Sequence, residues 1–293
     1  MQREASDGRV RIEDGVVFGH AGGRDLKCDL FHPPQAGTDR VGVVLIHGGA
    51  WSQGDRAQLR SYGIRLARQG HVCAAIEYRL SGVAKWPAQI HDVKAGVRFM
   101  RASSRKLGVD PNKICVSGNS AGGHLALMVA GTVGVAEFEG ESGHPGVGTE
   151  VTACVAFYPP TKLFGVHPLN AYAPALFERT ADQEVGRKAS PIAYARPDFV
   201  PTLLLHGNRD ALVPAEASVS MYQALAEAGA PVELHLYNGA PHAFDATREF
   251  ARHCADLMLL FLDRHVARPE DEVERWSALQ AFSTPAALRA SAR

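Results

Sequence analysis

The chain has 293 residues, 46% of them hydrophobic, enough for one large core, and α/β folds of this length commonly form a single domain. Lys and Arg total 31 and so do Asp and Glu, so no basic excess points to nucleic acid and no acidic run to a solvating tail. The charged start MQREASDGRVRIEDG lacks the apolar core of a secretory signal, and no apolar run approaches the ~20 residues that span a bilayer, so a cytoplasmic protein without a membrane partner is expected.

In chain order, GVVFGH, AGGR and DLKCDLFHPP read as two strands around a glycine turn, an antiparallel edge closed by Pro33-Pro34. VGVVLI (41–46) and VCAAI (72–76) are apolar on both faces, as strands of a covered parallel sheet should be. Residues 88–106 place Ile90, Val93, Val97 and Met100 on one helical stripe. ICVS (114–117) is a further strand, and the Gly- and Glu-rich stretch 133–150 reads as an exposed loop. After VTACVAF (151–157) comes a long, proline-containing connection, 158–200, carrying Leu163, Phe164, Leu176 and Phe177; a connection of that length is usually functional, and a small cap over the pocket is expected from it. TLLLH (202–206) and VELHLY (232–237) are strands. Pro214 opens and Gly229 closes a helix between them, and 246–265 is a helix with Phe250, Cys254, Leu257 and Phe261 on one face. This βαβα rhythm predicts an α/β fold with a doubly wound, mostly parallel sheet in one domain, 1–267. In the tail, 268–293, Val273, Trp276 and Leu279 fit a short amphipathic helix, docked on the body or forming a homodimer contact; disorder is the alternative beyond Pro285. Cys28, Cys73, Cys115, Cys154 and Cys254 are odd in number and scattered; they read as small buried hydrophobes in a reducing compartment. With no CxxC and no HExxH, neither a metal nor a cofactor is expected.

The chemistry centres on Gly118-Asn119-Ser120-Ala121-Gly122, where an apolar strand passes directly into a helical run. A serine at the apex of such a turn needs glycines two residues away on either side, and the turn exposes its hydroxyl at the carboxyl edge of the sheet. A serine hydroxyl becomes a nucleophile only when a base takes its proton and a third group orients that base. Of the 13 histidines, His242 in NGAPHAF follows the last strand and precedes the last long helix, which places it at that edge. His124 lies one helical turn past Ser120 and reads as structural. Asp210 directly follows the strand TLLLH and is the expected orienting acid; Asp182, Asp198 and Asp245 follow core strands less closely. His47-Gly48-Gly49-Ala50-Trp51 follows another strand, and the N–H groups of Gly49 and Ala50, with that of Ala121, could hold an oxyanion. Trp51, Tyr158, Leu163, Phe164 and Phe244 are the expected substrate-binding walls on position alone.

The segments HGGAW (47–51), EYRL (77–80), WPAQIHDVKAGVRFMR (86–101), GNSAGGHLAL (118–127), HGNRDALVP (206–214) and GAPHAF (239–244) resemble the serine α/β-hydrolases of the carboxylesterase group. That group takes in hormone-sensitive-lipase-like, arylformamidase-like and bacterial feruloyl- or acetylxylan-esterase-like proteins. Ala50 stands where lipase-like members usually have a third glycine, and Asn119 where they have an acid; HGGAW is closer to the arylformamidase and feruloyl-esterase-like branch. The resemblance implies an eight-stranded sheet, the triad order Ser120, Asp210, His242, and a small-molecule ester as substrate. Expected alternatives are arylformamidase activity, acyl transfer through the same triad, or an inactive binding protein on the same fold.

Overall fold

The computed structural model describes residues 9–164, 176–177, 183–271 and 276–277. The N-terminal strands β1 (Arg11–Ala21) and β2 (Arg24–His32) form an antiparallel hairpin, turned by Gly22 and Gly23 at φ of 57° and 72°, where glycine alone is free of a Cβ clash. The other strands are β3 (Arg40–Ile46), β4 (Val72–Ile76), β5 (Val109–Asn119), β6 (Ala153–Phe157), β7 (Thr202–Gly207) and β8 (Val232–Tyr237). They form one eight-stranded sheet in the order β1-β2-β4-β3-β5-β6-β7-β8. β2 meets β4 antiparallel, and every pairing from β4 through β8 is parallel. This is the doubly wound α/β sheet with an antiparallel edge that the sequence predicts.

Five longer helices cover it among the described residues: α1 (Arg60–Arg68), α2 (Ala88–Ala102), α3 (Ala121–Gly131), α4 (Glu216–Ala228) and α5 (Arg248–Leu262). Strand side chains alternate between two cores. Val44, Ile46, Ala74, Val116 and Leu204 pack with α2, α3 and α4. Val43, Leu45, Cys73, Val155 and Leu203 pack with α1 and α5. Apolar side chains on both faces are what a sheet covered on both sides requires. All five cysteines are buried and unpaired. Among the described residues no helix is long and apolar enough to cross a membrane.

Three local departures have physical causes. The helix expected over 88–106 ends at Ala102, and a separate turn, Ser104–Leu107, closes on Gly108 in the left-handed region at φ 71°. The stretch 133–150 is not a purely exposed loop: its turn Ala136–Glu139 buries Phe138, and Glu139 accepts a 2.7 Å hydrogen bond from the buried ammonium of Lys94. α1 is not among the predicted helices. Its Gly63 sits against the Phe31 ring, where a Cβ would come within 2.5 Å of ring carbon, so close packing sets a residue of poor helix propensity there. Within the expected cap, 165–175 and 178–182 lie outside the described residues, as does most of the tail.

Candidate active site

The end of β5 turns straight into α3 at Ser120, which adopts φ 54° and ψ −119°. A non-glycine residue in that region carries strain of about 1–3 kcal/mol and persists only where its surroundings enforce it. Three contacts do so here. The Ser120 N–H donates to Phe157 O on β6 at 2.8 Å. A Cβ on Gly118 would lie 2.4 Å from the Gly122 carbonyl. A Cβ on Gly122 would lie 2.0 Å from Ile46 O at the end of β3. The glycines thus let the helix start press against two neighbouring backbones at once.

His242 follows β8, and its Nε2 lies 3.0 Å from Ser120 Oγ. Its Nδ1 lies 2.6 Å from Asp210 Oδ2. Asp210 follows β7 and is fixed from several sides. Its Oδ1 accepts the N–H groups of Leu212 and Val213, both at 2.8 Å. Its Oδ2 is also 3.3 Å from His206 Nε2. Burial pushes the carboxyl pKa up, but the hydrogen bonds from His206, His242 and Val213 outweigh it and hold Asp210 well below the usual carboxylate range. With Asp210 ionised, the imidazole keeps its proton on Nδ1 and presents Nε2 as an acceptor to the hydroxyl. Tyr158 packs edge-on against the His242 ring at 4.6 Å, and its hydroxyl donates to Asp245.

The loop after β3 faces the serine. A Cβ on Gly48 would come within 2.8 Å of Asn119 O and 3.3 Å of Ser120 Cβ, so only glycine allows the approach. Gly49, Ala50 and Trp51 all have positive φ, at 110°, 52° and 58°. Gly49 O accepts the N–H groups of Ser52 and Gln53, which holds this tight turn. The Trp51 indole N–H donates to His124 Nδ1 at 3.2 Å, and His124 Nε2 reaches Ala189 O at 2.7 Å. His124 is therefore neutral, with burial pushing its pKa down to about 4. His47 stacks on Tyr78 at 4.3 Å, and Tyr78 donates to His47 O. Ala121 is the first residue of α3, so its N–H has no partner within the helix.

Ser120, His242, Gly49, Ala50 and Ala121 all line one cleft of 790 Å³. Of the expected substrate walls, Trp51 and Tyr158 line it as well. The others are placed elsewhere. Leu163 is buried in the core on the α2–α3 side. Phe164 is half-buried under the Lys162 ammonium, 4.8 Å from its ring centre. Phe244 is buried behind the cleft between Tyr158 and Tyr237. The described wall comes instead from α1, through Tyr62 and Arg65, and from the start of α5. Asp198 pairs with Arg196, and Asp182 lies outside the described residues. Asp245 lines the cleft but accepts from Tyr62 and Tyr158, and the hydrogen-bond partner of His242 Nδ1 is Asp210. His206 was not singled out by the sequence, because a histidine ending a strand reads as sheet interior. Among the described residues no group of three or more His, Cys, Asp or Glu side chains is placed to hold a metal ion.

Residues 28–225 match the BD-FAE family model. The chain belongs to the BD-FAE family. It is 36% identical over 217 residues to esterase LipC of Mycobacterium tuberculosis, covering 69% of this chain and 53% of LipC. The chain spans little more than half the length of such curated relatives. Thermogutta terrifontis esterase 2 phosphoramylated by tabun superposes with a TM-score of 0.75 at 27% identity, covering 88% of this chain and 95% of that one. A truncated carbohydrate esterase from gut microbiota superposes at a TM-score of 0.77, covering 89% of this chain and 99% of the other; at 24% identity that likeness shows the fold. BD-FAE membership and this eight-stranded sheet together place the chain among the α/β-hydrolases.

Proposed function

We propose that this BD-FAE member is a serine esterase that hydrolyses small carboxylic esters through an acyl-enzyme. The observation that carries the proposal is the hydrogen-bonded line from Asp210 through His242 to Ser120, at 2.6 and 3.0 Å, opening on a cleft. Ser120 Oγ attacks the ester carbonyl carbon while His242 Nε2 takes the hydroxyl proton. The carbonyl oxygen becomes an oxyanion held by the N–H groups of Gly49, Ala50 and Ala121. Collapse of this adduct breaks the ester bond, and the proton on His242 passes to the departing alkoxide. A water molecule, giving its proton to His242, then attacks the acyl-serine; the acid leaves and Ser120 recovers its proton. Asp210 orients the imidazole and stabilises its charged form.

LipC is named an esterase, and Thermogutta terrifontis esterase 2 has been captured phosphorylated by paraoxon and with propionate bound. Those names favour short acyl esters as substrates and organophosphates as covalent probes of the site. The test is steady-state kinetics on 4-nitrophenyl acetate and butyrate beside N-formylkynurenine, with and without an added alcohol acceptor. Faster hydrolysis of the phenyl esters than of the formamide, with free acid as product, is expected. Preference for N-formylkynurenine, or capture of the acyl group by the acceptor in place of water, would replace this reading.

A further inference from the structure

The cleft over Ser120 carries positive charge that the protein leaves unneutralised. Arg65 lies on α1 one turn beyond Tyr62, and both side chains line the cleft. Arg248 opens α5 one turn before Ala251, and both of these line it too. The three-residue spacing puts each arginine on the helix face that borders the cleft. Among the described residues, neither arginine makes an ion pair or a side-chain hydrogen bond. Nearby arginines contrast with them: Arg56 is held by Asp29 and Glu77, and Arg60 by Asp14. The acidic group in the cleft wall, Asp245, is buried and already accepts from the hydroxyls of Tyr62 and Tyr158. That Tyr62–Asp245 bond, 2.9 Å long, also ties α1 to the chain leading into α5, so the two arginines ride on one braced frame. Arg65 is half-buried, which limits screening by solvent.

We propose that Arg65 and Arg248 form an anion subsite beside the reactive serine, so that preferred esters carry a carboxylate or phosphate group away from the scissile bond. The inference rests on the assignment of Ser120 as nucleophile. A guanidinium offers a planar fork of donors that matches either oxyanion bidentately, and it is more weakly hydrated than an ammonium. A neutral ester in this cleft leaves both forks to water alone.

The experiment measures kcat/KM on matched pairs with the full chain. On the alcohol side, 4-acetoxybenzoate and 4-acetoxyphenyl phosphate are set against phenyl acetate. On the acyl side, 4-nitrophenyl hemiglutarate is set against 4-nitrophenyl butyrate. The quantity read is the anionic-to-neutral ratio, which cancels general losses of folding or reactivity. The ratio should exceed one in at least one arm, and Arg65→Met or Arg248→Met should lower it about 10-fold or more. Arg→Lys at the same positions should retain part of it, and rising salt should shrink it. Whether the carboxylate or the phosphate ester gives the larger ratio identifies the natural anion. Ratios below one in every arm, or ratios that both Met variants leave unaltered, overturn the proposal. Full turnover by Ser120→Ala would instead overturn the serine assignment, which the ratios do not address.

Discussion

Ser120 is held in its unusual backbone conformation by atoms of β3 and β6 and by its own glycines, so its hydroxyl needs no rearrangement to meet His242. Replacing the hydroxyl should therefore remove chemistry and leave the fold intact: Ser120→Ala should lower kcat on a phenyl ester by about 10⁴–10⁶-fold, with an unaltered thermal transition. Asp210→Asn should cost about 10⁴-fold at neutral pH, because an amide can donate to Nδ1 and stabilise the wrong imidazole tautomer. Gly122→Ala should act on the fold itself. Its methyl would lie 2.0 Å from Ile46 O, a clash that only a shift of the helix start relieves. A drop of several degrees in Tm alongside lost turnover would mark that strain. Ser120, Asp210 and His242 were legible as candidates because each follows a strand, and His242 lies within hydrogen-bond reach of both Ser120 and Asp210. His206 was not legible: it lies within β7, and only the folded chain brings its Nε2 to Asp210. Leu163 and Phe244 misled because an apolar residue near a motif looks the same in sequence whether it faces a cleft or the core behind it.

At the scale of elements, the segments around the site brace the loop after β3. Arg79, just past β4, is gripped by Asp92 of α2 through three hydrogen bonds of 2.8 Å, one from its backbone N–H and two from its guanidinium. Two residues on, the Ser81 N–H donates to Trp51 O at 2.8 Å, so the grip of α2 reaches the loop that carries Gly49 and Ala50. Asp92 is fully buried, and removing one partner of a buried pair strands the other charge. Asp92→Ala should cost about 3–5 kcal/mol by urea unfolding. Any folded fraction should turn over more slowly as the loop loosens. The segments EYRL and WPAQIHDV stood out in the sequence, but their part in the site could not be read there, because it is exerted through Trp51, about 40 positions upstream of Asp92 in the numbering. Strand positions were legible within a few residues, since apolar runs covered on both sides have few other uses. α1 was not, because its apolar face is interrupted by Gly63 and its short run is broken by Arg60, Arg65 and Arg68.

For the molecule as a whole, burying both faces of the sheet also buries imidazoles. His71 and His124 are both pushed down to about 4 by burial, against an ordinary value of 6.5, and burial also lowers His47. As pH falls below 6.5, the unfolded chain binds protons at these rings, and the folded chain does not until near pH 4. Their stabilisation is therefore complete above about pH 6.5 and drains away toward pH 4, by roughly 2–3 kcal/mol for each of His71 and His124. Denaturant melts at pH 7.5 and pH 5 should show the loss, and His71→Gln should reduce the difference between them. A pH-independent stability over that interval would contradict the burial of neutral imidazoles. The mostly parallel sheet, its antiparallel edge and its two-sided core follow from the alternation of short apolar strands with helical stripes, which length and spacing made readable; the strand order comes from the folded chain.

The central claim is that Ser120, activated by His242 and Asp210, is the atom that accepts the acyl group. Mass mapping after treatment with a fluorophosphonate tests it most directly. A single adduct on the peptide bearing Ser120, absent from Ser120→Ala and slowed in His242→Ala, is the predicted result; an enzyme that hydrolyses esters yet takes the adduct at another residue, or takes none, would contradict it.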